Sequence, residues 1–234
     1  MKATKAVISF ALWGDDPMYY YGAVRNIIAA REHYRGWECW FYCHPSIKRF
    51  SWALEALGAK VIEFVPDAKE HTNLYHRYRP IMDPTVDKVI FRDCDSIVNA
   101  REAVCVKAWT DSKQPVHSMR DHRMHTAPIM GGMWGCYPRE MLKIAKDFEA
   151  SLQKRNMAIV NGEPEEGPRR GRLHYSDQTW LAHYLWPLVK DHVIVHDNWK
   201  RFSGNELPVP HTLEDKRNFV GQAYKPDGTP IWKI

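Results

Sequence analysis

The sequence predicts an α/β protein in which helices flank a mostly parallel, Rossmann-like central sheet. Short apolar runs alternate with segments of helical periodicity through the first half of the chain. At 234 residues, one domain is long enough to bury a core without disulfides or a structural metal. Ligands of such sheets bind beyond the carboxyl ends of the strands. Polar residues that directly follow strands are therefore the first candidates for a functional site.

The predicted elements follow one another with clear boundaries. Gly58 ends the second helix, Pro66 ends the third strand, and Pro138 stands at the first position of a later helix. The segment 156–172, rich in Gly, Pro and charge, is predicted to be a loop, and the tail from about residue 201 is predicted to wrap over the domain. Strands are predicted at 5–13, 37–43, 60–65, 88–92, 116–119 and 193–195, and helices at 19–33, 46–57, 99–109, 138–154 and 177–188.

Charge and composition narrow the class of ligand. The chain has 33 Lys and Arg against 28 Asp and Glu, a net charge of +5 spread along the sequence. A small polyanion suits this distribution better than duplex DNA. No zinc-finger, helix-turn-helix or RNA-binding motif is present in the sequence, so we expect no nucleic-acid partner.

Cysteine usage and hydropathy indicate the compartment. Five cysteines form no CxxC pair and no zinc-ligand spacing with histidine. Reduced thiols in a cytoplasmic protein are the simplest interpretation. Residues 1–14 lack the features of a signal peptide, and no segment approaches the ~20 apolar residues of a membrane span. We therefore expect neither a leader nor a membrane stem.

The triplet Asp93-Cys94-Asp95, directly after the predicted strand 88–92 (KVIFR), is the strongest chemical pattern. In extended backbone, residues two apart point the same way and lie about 6.6 Å apart. Asp93 and Asp95 can thus face one cation while Cys94 turns into the core. Carboxylates together with diphosphate oxygens and water are the usual ligands of Mg²⁺ and Mn²⁺. A solvated turn or a helix cap is the alternative, but the position after a buried strand favours the metal site.

Several segments around this triplet together resemble GT-A type glycosyltransferases, particularly a bacterial and viral branch of that superfamily. The resemblance covers nearly the whole chain in the right order. The segments are 9–14 (SFALWG), 21–22 (YG), 91–96 (FRDCDS), 101–102 (RE), 108–109 (AW), 117–122 (HSMRDH), 128–135 (PIMGGMWG), 176–178 (SDQ), 196–197 (HD) and 219–222 (FVGQ).

The resemblance implies a single GT-A like domain, with a nucleotide-binding half over about 1–100 and an acceptor-binding half over about 101–234. It implies a nucleoside diphosphate sugar as donor, Mn²⁺ or Mg²⁺ on Asp93 and Asp95, and a hydroxyl acceptor on a glycan or glycoconjugate. By analogy, Leu12, Trp13 and Gly14 contact the base and ribose. The alternative for this loop is a packed turn.

Arginines and the second half of the chain supply further candidates. Arg77 is a candidate for a diphosphate or carboxylate contact, because guanidinium groups bind both kinds of anion bidentately. Arg120 and Asp121 follow a short strand; Asp121 is a candidate for donor-sugar hydroxyls, and Arg120 for charge balance or, alternatively, a structural ion pair. Gly132 permits backbone to approach a sugar ring, or serves a turn.

Two late residues complete the predicted site. Asp177 lies at a predicted helix start, where it either caps the helix or acts as general base on the acceptor. His196 resembles the late histidine that completes the metal shell in several GT-A families. A strand-end histidine satisfied by hydrogen bonds is the alternative for His196, and Asp197 is a candidate either to orient it or to bind metal.

Two other functions remain open from the sequence. A nucleotidyltransferase acting on a sugar phosphate would have a Gly-rich, basic loop after the first strand, whereas here residues 12–16 are acidic with one glycine. A non-catalytic sugar-nucleotide binding protein would bind donor without turnover. The pair of aspartates favours the enzyme.

Overall fold

A computed structural model describes residues 4–65, 70–160, 176–199, 202, 206–210 and 219–231. These residues form one seven-stranded sheet. Most of the predicted loop at 156–172 lies outside them, although its first five residues belong to a helix. The strands are β1 (Lys5–Leu12), β2 (Trp37–Cys43), β3 (Lys60–Glu63), β4 (Val86–Phe91), β5 (Val116–Arg120), β6 (Trp134–Cys136) and β7 (Val193–Asp197).

The strand order is β3-β2-β1-β4-β6-β5-β7, and every pairing is parallel except those of β6 with β4 and β5. The predicted mostly parallel α/β sheet is confirmed. The chain runs outward from β1 to β3 and then returns to place β4 on the other side of β1. The carboxyl ends of β1 and β4 therefore flank the switch point at which such sheets bind ligands.

Strand β6 is absent from the sequence prediction. It has only three residues, and its centre is Gly135, whose added Cβ would meet the Val89 carbonyl oxygen at 2.7 Å. A strand so short, with a glycine inside it, has no detectable alternation.

Helices cover both faces of the sheet. The helix predicted at 138–154 is wrong as one element, because Ala145 leaves the helical region (ψ 69°) without any Gly or Pro to signal the break. Between β3 and β4 lies a 3-10 segment, Glu70–Met82, and a π turn, Leu181–Leu185, joins the last two helices. The helices are α1 (Pro17–His33), α2 (Lys48–Ala56), α3 (Ala100–Ser112), α4 (Pro138–Ile144), α5 (Phe148–Val160), α6 (Ser176–Trp180) and α7 (Trp186–Val189).

Two cores result from the alternation of side chains along each strand. Ile8 and Ile90 face α1, α2 and α3, whereas Val7, Val89 and Phe91 face the 3-10 segment and the later helices. The sheet is thus buried on both faces, which explains the nearly continuous apolar runs of β1 and β4.

Asn26, fully buried on α1, holds the loop that follows β4. Its amide nitrogen donates to the carbonyl oxygens of Gly22 (3.0 Å) and Ser96 (2.8 Å), and its Oδ1 accepts from the Val98 amide at 3.0 Å. At Gly22, one turn earlier, a Cβ would collide with the Cys94 carbonyl oxygen. Helix α1 therefore fixes the backbone of residues 94–98 by direct contact.

His117 of β5 and His196 of β7 form a buried pair, with Nε2 and Nδ1 2.9 Å apart. Burial lowers the pKa of His196 to about 4, and burial together with His196 lowers that of His117 well below its ordinary value. Both rings are therefore neutral in the folded protein at pH 7.

The five cysteines are all free and buried. No helix in the described ranges has the length and apolar character needed to cross a bilayer.

Replacing Asn26 should destabilise the fold. In Asn26→Leu the Ser96 carbonyl and the Val98 amide lose their partners while still buried, which costs roughly 2 to 4 kcal/mol. Urea unfolding measures the loss. Glu32→Gln, on the exposed side of the same helix, should leave the free energy of unfolding unchanged. Equal stability of the two variants would contradict the assigned role of Asn26.

The histidine pair predicts acid sensitivity with a definite sign. Because the folded pKa of His196 is about 4 and the unfolded value about 6.5, the unfolded chain binds more protons between these values, and stability falls as pH drops through this window. His196 alone contributes about 3 kcal/mol to that fall. Unfolding measured from pH 7 to pH 4 should show a shallower dependence for His196→Gln than for wild type.

The control for this experiment is His192→Gln, an exposed histidine just before β7. It should retain the wild-type dependence on pH. The same shallow dependence in both variants, or in neither, would refute the assignment.

Candidate active site

The Asp-X-Asp motif (residues 93–95) lies at the carboxyl end of β4, directly beside the end of β1. The Arg92 amide donates to the Ser9 carbonyl (3.1 Å), which continues the pairing of the two strands to the motif. Cys94 is 2% exposed, whereas the Asp93 side chain is 45% exposed. The predicted burial of Cys94 is confirmed, although Cys94 and Asp95 lie in a turn and not in the extended backbone from which the sequence predicted it. That Asp93 and Asp95 face one cation stays a prediction.

A cleft of ≈ 330 Å³ opens above this edge of the sheet. Leu12, Trp13 and Gly14 line it, as the sequence predicted for a ligand-contacting loop, and Gly14 adopts a positive φ of 78°. Their contact with a base or ribose stays a prediction. The described residues that line the cleft are Ala11, Leu12, Trp13, Gly14, Asp15, Asp16, Tyr19, Leu74, Arg77, Asp93, Cys94 and Asp95.

Negative charge dominates this cleft. Four aspartates line it, at positions 15, 16, 93 and 95, against the single guanidinium of Arg77. Burial, with the neighbouring carboxylate of Asp93, raises the pKa of Asp95 to about 7. Burial and the nearby Asp95 and Asp93 also raise the pKa of the Tyr19 hydroxyl. This excess of carboxylates disfavours an anionic ligand in the cleft unless cations accompany it.

Arg77 joins two of the predicted site residues. Its Nη1 donates to Asp93 Oδ1 at 2.5 Å, and its Nη2 contacts Asp177 Oδ2. The backbone carbonyl of Arg77 accepts a hydrogen bond from the Ser9 hydroxyl (2.6 Å), which anchors the 3-10 segment to β1. Of the two contacts that the sequence offered for Arg77, the one with carboxylates is present, to both Asp93 and Asp177. A contact with a diphosphate stays a prediction.

Asp177 is enclosed by its partners. It is 4% exposed; Oδ2 accepts from Arg77 and from the Tyr78 hydroxyl (2.9 Å), and Oδ1 accepts from the Gln178 amide (2.8 Å). Each carboxylate oxygen therefore already has a donor. These contacts favour a role for Asp177 in holding Arg77 over the predicted role of general base.

The diglycine Gly131-Gly132 packs closely against the carboxylates of Asp177 and Asp93. A Cβ on Gly132 would collide with the Asp93 carboxylate, and one on Gly131 would come within 2.5 Å of Asp177 Oδ2. The predicted close approach at Gly132 is therefore an approach to Asp93. Contact with a sugar ring stays a prediction.

The segment 219–231 crosses the motif on its other side, as the predicted wrapping tail would. The Tyr224 amide donates to the Asp95 carbonyl (2.9 Å), and Ser96 forms an antiparallel bridge with Ala223. Arg25 of α1 donates to the carbonyls of Lys225 (3.1 Å) and Pro226 (2.7 Å). Backbone contacts thus fix the loop that carries Asp95 from two directions.

Asp121 belongs to a different set of contacts. Its Oδ2 forms an ion pair with Arg101 (2.7 Å) and accepts from the Val220 amide (2.9 Å), and its Oδ1 accepts from the Asn198 side chain (2.5 Å). It does not appear among the described residues of the cleft. These contacts favour a structural role over the predicted contact with donor-sugar hydroxyls.

Arg120 forms the ion pair that the sequence left as an alternative. Its Nε lies 2.8 Å from Asp197 Oδ2, and both side chains are fully buried. Asp197 Oδ1 also accepts from the Trp199 amide at 2.7 Å. Arg120 therefore balances Asp197, and neither residue lines the described part of the cleft.

His196 is 3% exposed and directed at His117. Within the described ranges, no three His, Cys, Asp or Glu side chains come together as a metal-binding group. These observations favour the hydrogen-bonded strand-end histidine over the predicted third metal ligand. Arg92, which strand alternation turns away from Asp93, is paired with Glu102 (Nε to Oε1, 2.6 Å).

Sequence reasoning missed Asn26, because a single asparagine within a helix carries no pattern. It also missed the contact between residues 77 and 177, which are one hundred positions apart. Gly131 was visible only as part of a diglycine.

No protein-family model and no curated protein matches the sequence. Among solved structures, a mannosyltransferase of Pyrobaculum calidifontis in complex with GDP-mannose and Mn²⁺ is 13% identical (TM-score 0.45), covering 60% of this chain and 46% of its own. The glycosyltransferase GlyE of Streptococcus pneumoniae is 17% identical (TM-score 0.46), covering 82% and 45%. A CMP:2-keto-3-deoxy-manno-octonic acid synthetase with CTP is 13% identical (TM-score 0.49), covering 83% and 90%.

The chain thus spans less than half the length of the first two of these proteins. All three are below 25% identity and below a TM-score of 0.5. They assign neither a family nor an activity to the chain, so the α/β fold rests on the chain's own sheet order and the function on the chemistry of its cleft.

Proposed function

We propose that this protein binds a nucleoside diphosphate sugar together with a divalent cation and transfers the sugar to a hydroxyl of a glycan or glycoconjugate. The observation that carries the proposal is the position of the motif. Asp93 and Asp95 line a cleft at the carboxyl ends of β1 and β4, which is the switch point of the sheet. A volume of ≈ 330 Å³ is within the range of small-molecule sites.

The donor set of this cleft fits a hard cation. Carboxylate oxygens from Asp93 and Asp95 are the ligands that Mg²⁺ and Mn²⁺ prefer, and the excess of aspartates leaves a need for positive charge. When bound, such an ion supplies charge that stabilises the departing nucleoside diphosphate. In this proposal Asp93 and Asp95 hold it, and His196 does not.

The remaining lining residues are assigned two different roles in binding. The loop with Leu12, Trp13 and Gly14 borders the cleft and is assigned to the base and ribose. Arg77 is assigned to orienting Asp93, because its guanidinium holds one Asp93 oxygen while Asp177 holds the guanidinium. A fixed carboxylate loses less freedom when its ligand arrives.

The proposal is tested with a panel of sugar nucleotides and Mn²⁺. Wild type should hydrolyse at least one donor slowly in the absence of acceptor and should show a metal-dependent rise in melting temperature with it. Asp93→Asn and Asp95→Asn should lose both responses. Asp87→Asn, a partly buried aspartate at the other end of β4, should keep them.

Two results would count against the proposal. One is a wild-type metal-dependent shift in both motif variants. The other is release of pyrophosphate from a nucleoside triphosphate and a sugar phosphate, which would identify a nucleotidyltransferase in place of a glycosyltransferase.

The role assigned to Arg77 is tested separately by stability. Arg77→Met leaves the buried Asp177 carboxylate without its cation and should lower the free energy of unfolding by about 3 to 5 kcal/mol. Adding Asp177→Asn to this variant should recover part of the loss. Arg79→Met, exposed two residues away, should be nearly neutral in the same unfolding experiment, and similar losses at both arginines would rule the bridge out as a stabilising element.

A further inference from the structure

A second concave site lies near the amino-terminal ends of the strands, whereas the cleft lies at their carboxyl ends. Helices α1 and α3 lie on one face of the sheet, and near the amino-terminal ends of β2 and β4 they leave a groove of ≈ 350 Å³. We call this the basic groove. The lining residues that bear on its chemistry are His33, Tyr34, Arg35, Trp37, Lys88 and Lys107.

The charges of the basic groove have one sign. His33, Arg35, Lys88 and Lys107 line it, and no Asp or Glu is among its described lining residues. Lys107 forms an exposed pair with Asp111 at 2.6 Å. Lys88 stands partly buried on the β4 floor with its Nζ 5.8 Å from the centroid of the Trp37 ring, and no described carboxylate forms an ion pair with it.

The acid at the inner end of the groove is already neutralised. Glu102 of α3 accepts from the Tyr34 hydroxyl (2.8 Å) and forms a buried ion pair with Arg92 (2.6 Å). It therefore does not balance the charge of Lys88. The groove and the cleft share no described lining residue, so they are separate spaces.

We propose that the basic groove binds a small phosphorylated ligand with more than one negative charge. Lys88 forms no ion pair with a described carboxylate, and a phosphate group supplies oxygens to ammonium and guanidinium groups alike. The groove is bounded by two helices and the sheet, and its volume is that of a small-ligand pocket, which favours a compact anion over an acidic peptide. This site is independent of the function proposed for the cleft.

Inorganic pyrophosphate is the probe, measured by titration calorimetry in the presence of EDTA so that the metal-dependent cleft does not contribute. Wild type should show saturable binding. Arg35→Glu combined with Lys88→Glu should abolish it, and the milder Lys88→Met, which keeps the apolar stem, should weaken it roughly tenfold. Asp93→Asn combined with Asp95→Asn should leave it intact.

The matched control is Arg139→Glu combined with Lys143→Glu, two exposed positions on α4. Both double variants change the net charge from +5 to +1, so only a local site distinguishes them. Retained binding in the control supports the groove. Equal loss in both double variants, no saturable binding in wild type, loss in the Asp93/Asp95 variant, or binding of an acidic peptide without binding of pyrophosphate would each overturn the proposal.

Discussion

Two carboxylates placed side by side at the end of a buried strand are the constraint on which the site depends. Burial, together with repulsion between Asp93 and Asp95, raises the pKa of Asp95 to about 7. Arg77 offsets part of the charge on one side through its contact with Asp93. On the other side, uncharged hydrogen bonds fix the loop that carries Asp95. The Asn26 side chain donates to the Ser96 carbonyl, and the Tyr224 amide donates to the Asp95 carbonyl.

The supporting residues come from distant parts of the chain because the sheet brings them to one edge. Arg77 lies in the segment that leads into β4, Gly132 in the turn before β6, and Tyr224 in the segment after β7. The antiparallel strand β6 has a specific part in this. It lies between β4 and β5 and runs antiparallel to both. The turn before it, which contains Gly132, therefore lies against Asp93.

The sequence predicts those parts of the fold that depend on local patterns. Apolar runs located six of the seven strands, and the burial of Cys94 directly after β4 was predicted correctly. Resemblance and position also located the loop 12–14 at the cleft. Strand β6 was missed because three residues with a central glycine carry no periodicity, and the break after α4 has no Gly or Pro to mark it.

Contacts between side chains from distant parts of the chain could not be predicted from such local patterns. Asp121 directly follows β5, and His196 lies near the end of β7. Each nevertheless contacts a residue that no spacing rule reveals: Arg101 for Asp121 and His117 for His196. Asp177 is similar, since its partner Arg77 lies one hundred residues earlier. Position at a strand end brings a residue to the correct edge, whereas its partners decide whether its polar atoms remain available to a ligand.

The central claim is that Asp93 and Asp95 hold a divalent cation against a nucleoside diphosphate. The most direct measurement is an anomalous difference map, collected at the manganese edge, from crystals grown with Mn²⁺ and a nucleoside diphosphate. The account predicts a peak in contact with carboxylate oxygens of Asp93 and Asp95 and with the diphosphate. A diphosphate bound in the cleft without such a peak, or a peak held by other residues, would contradict it.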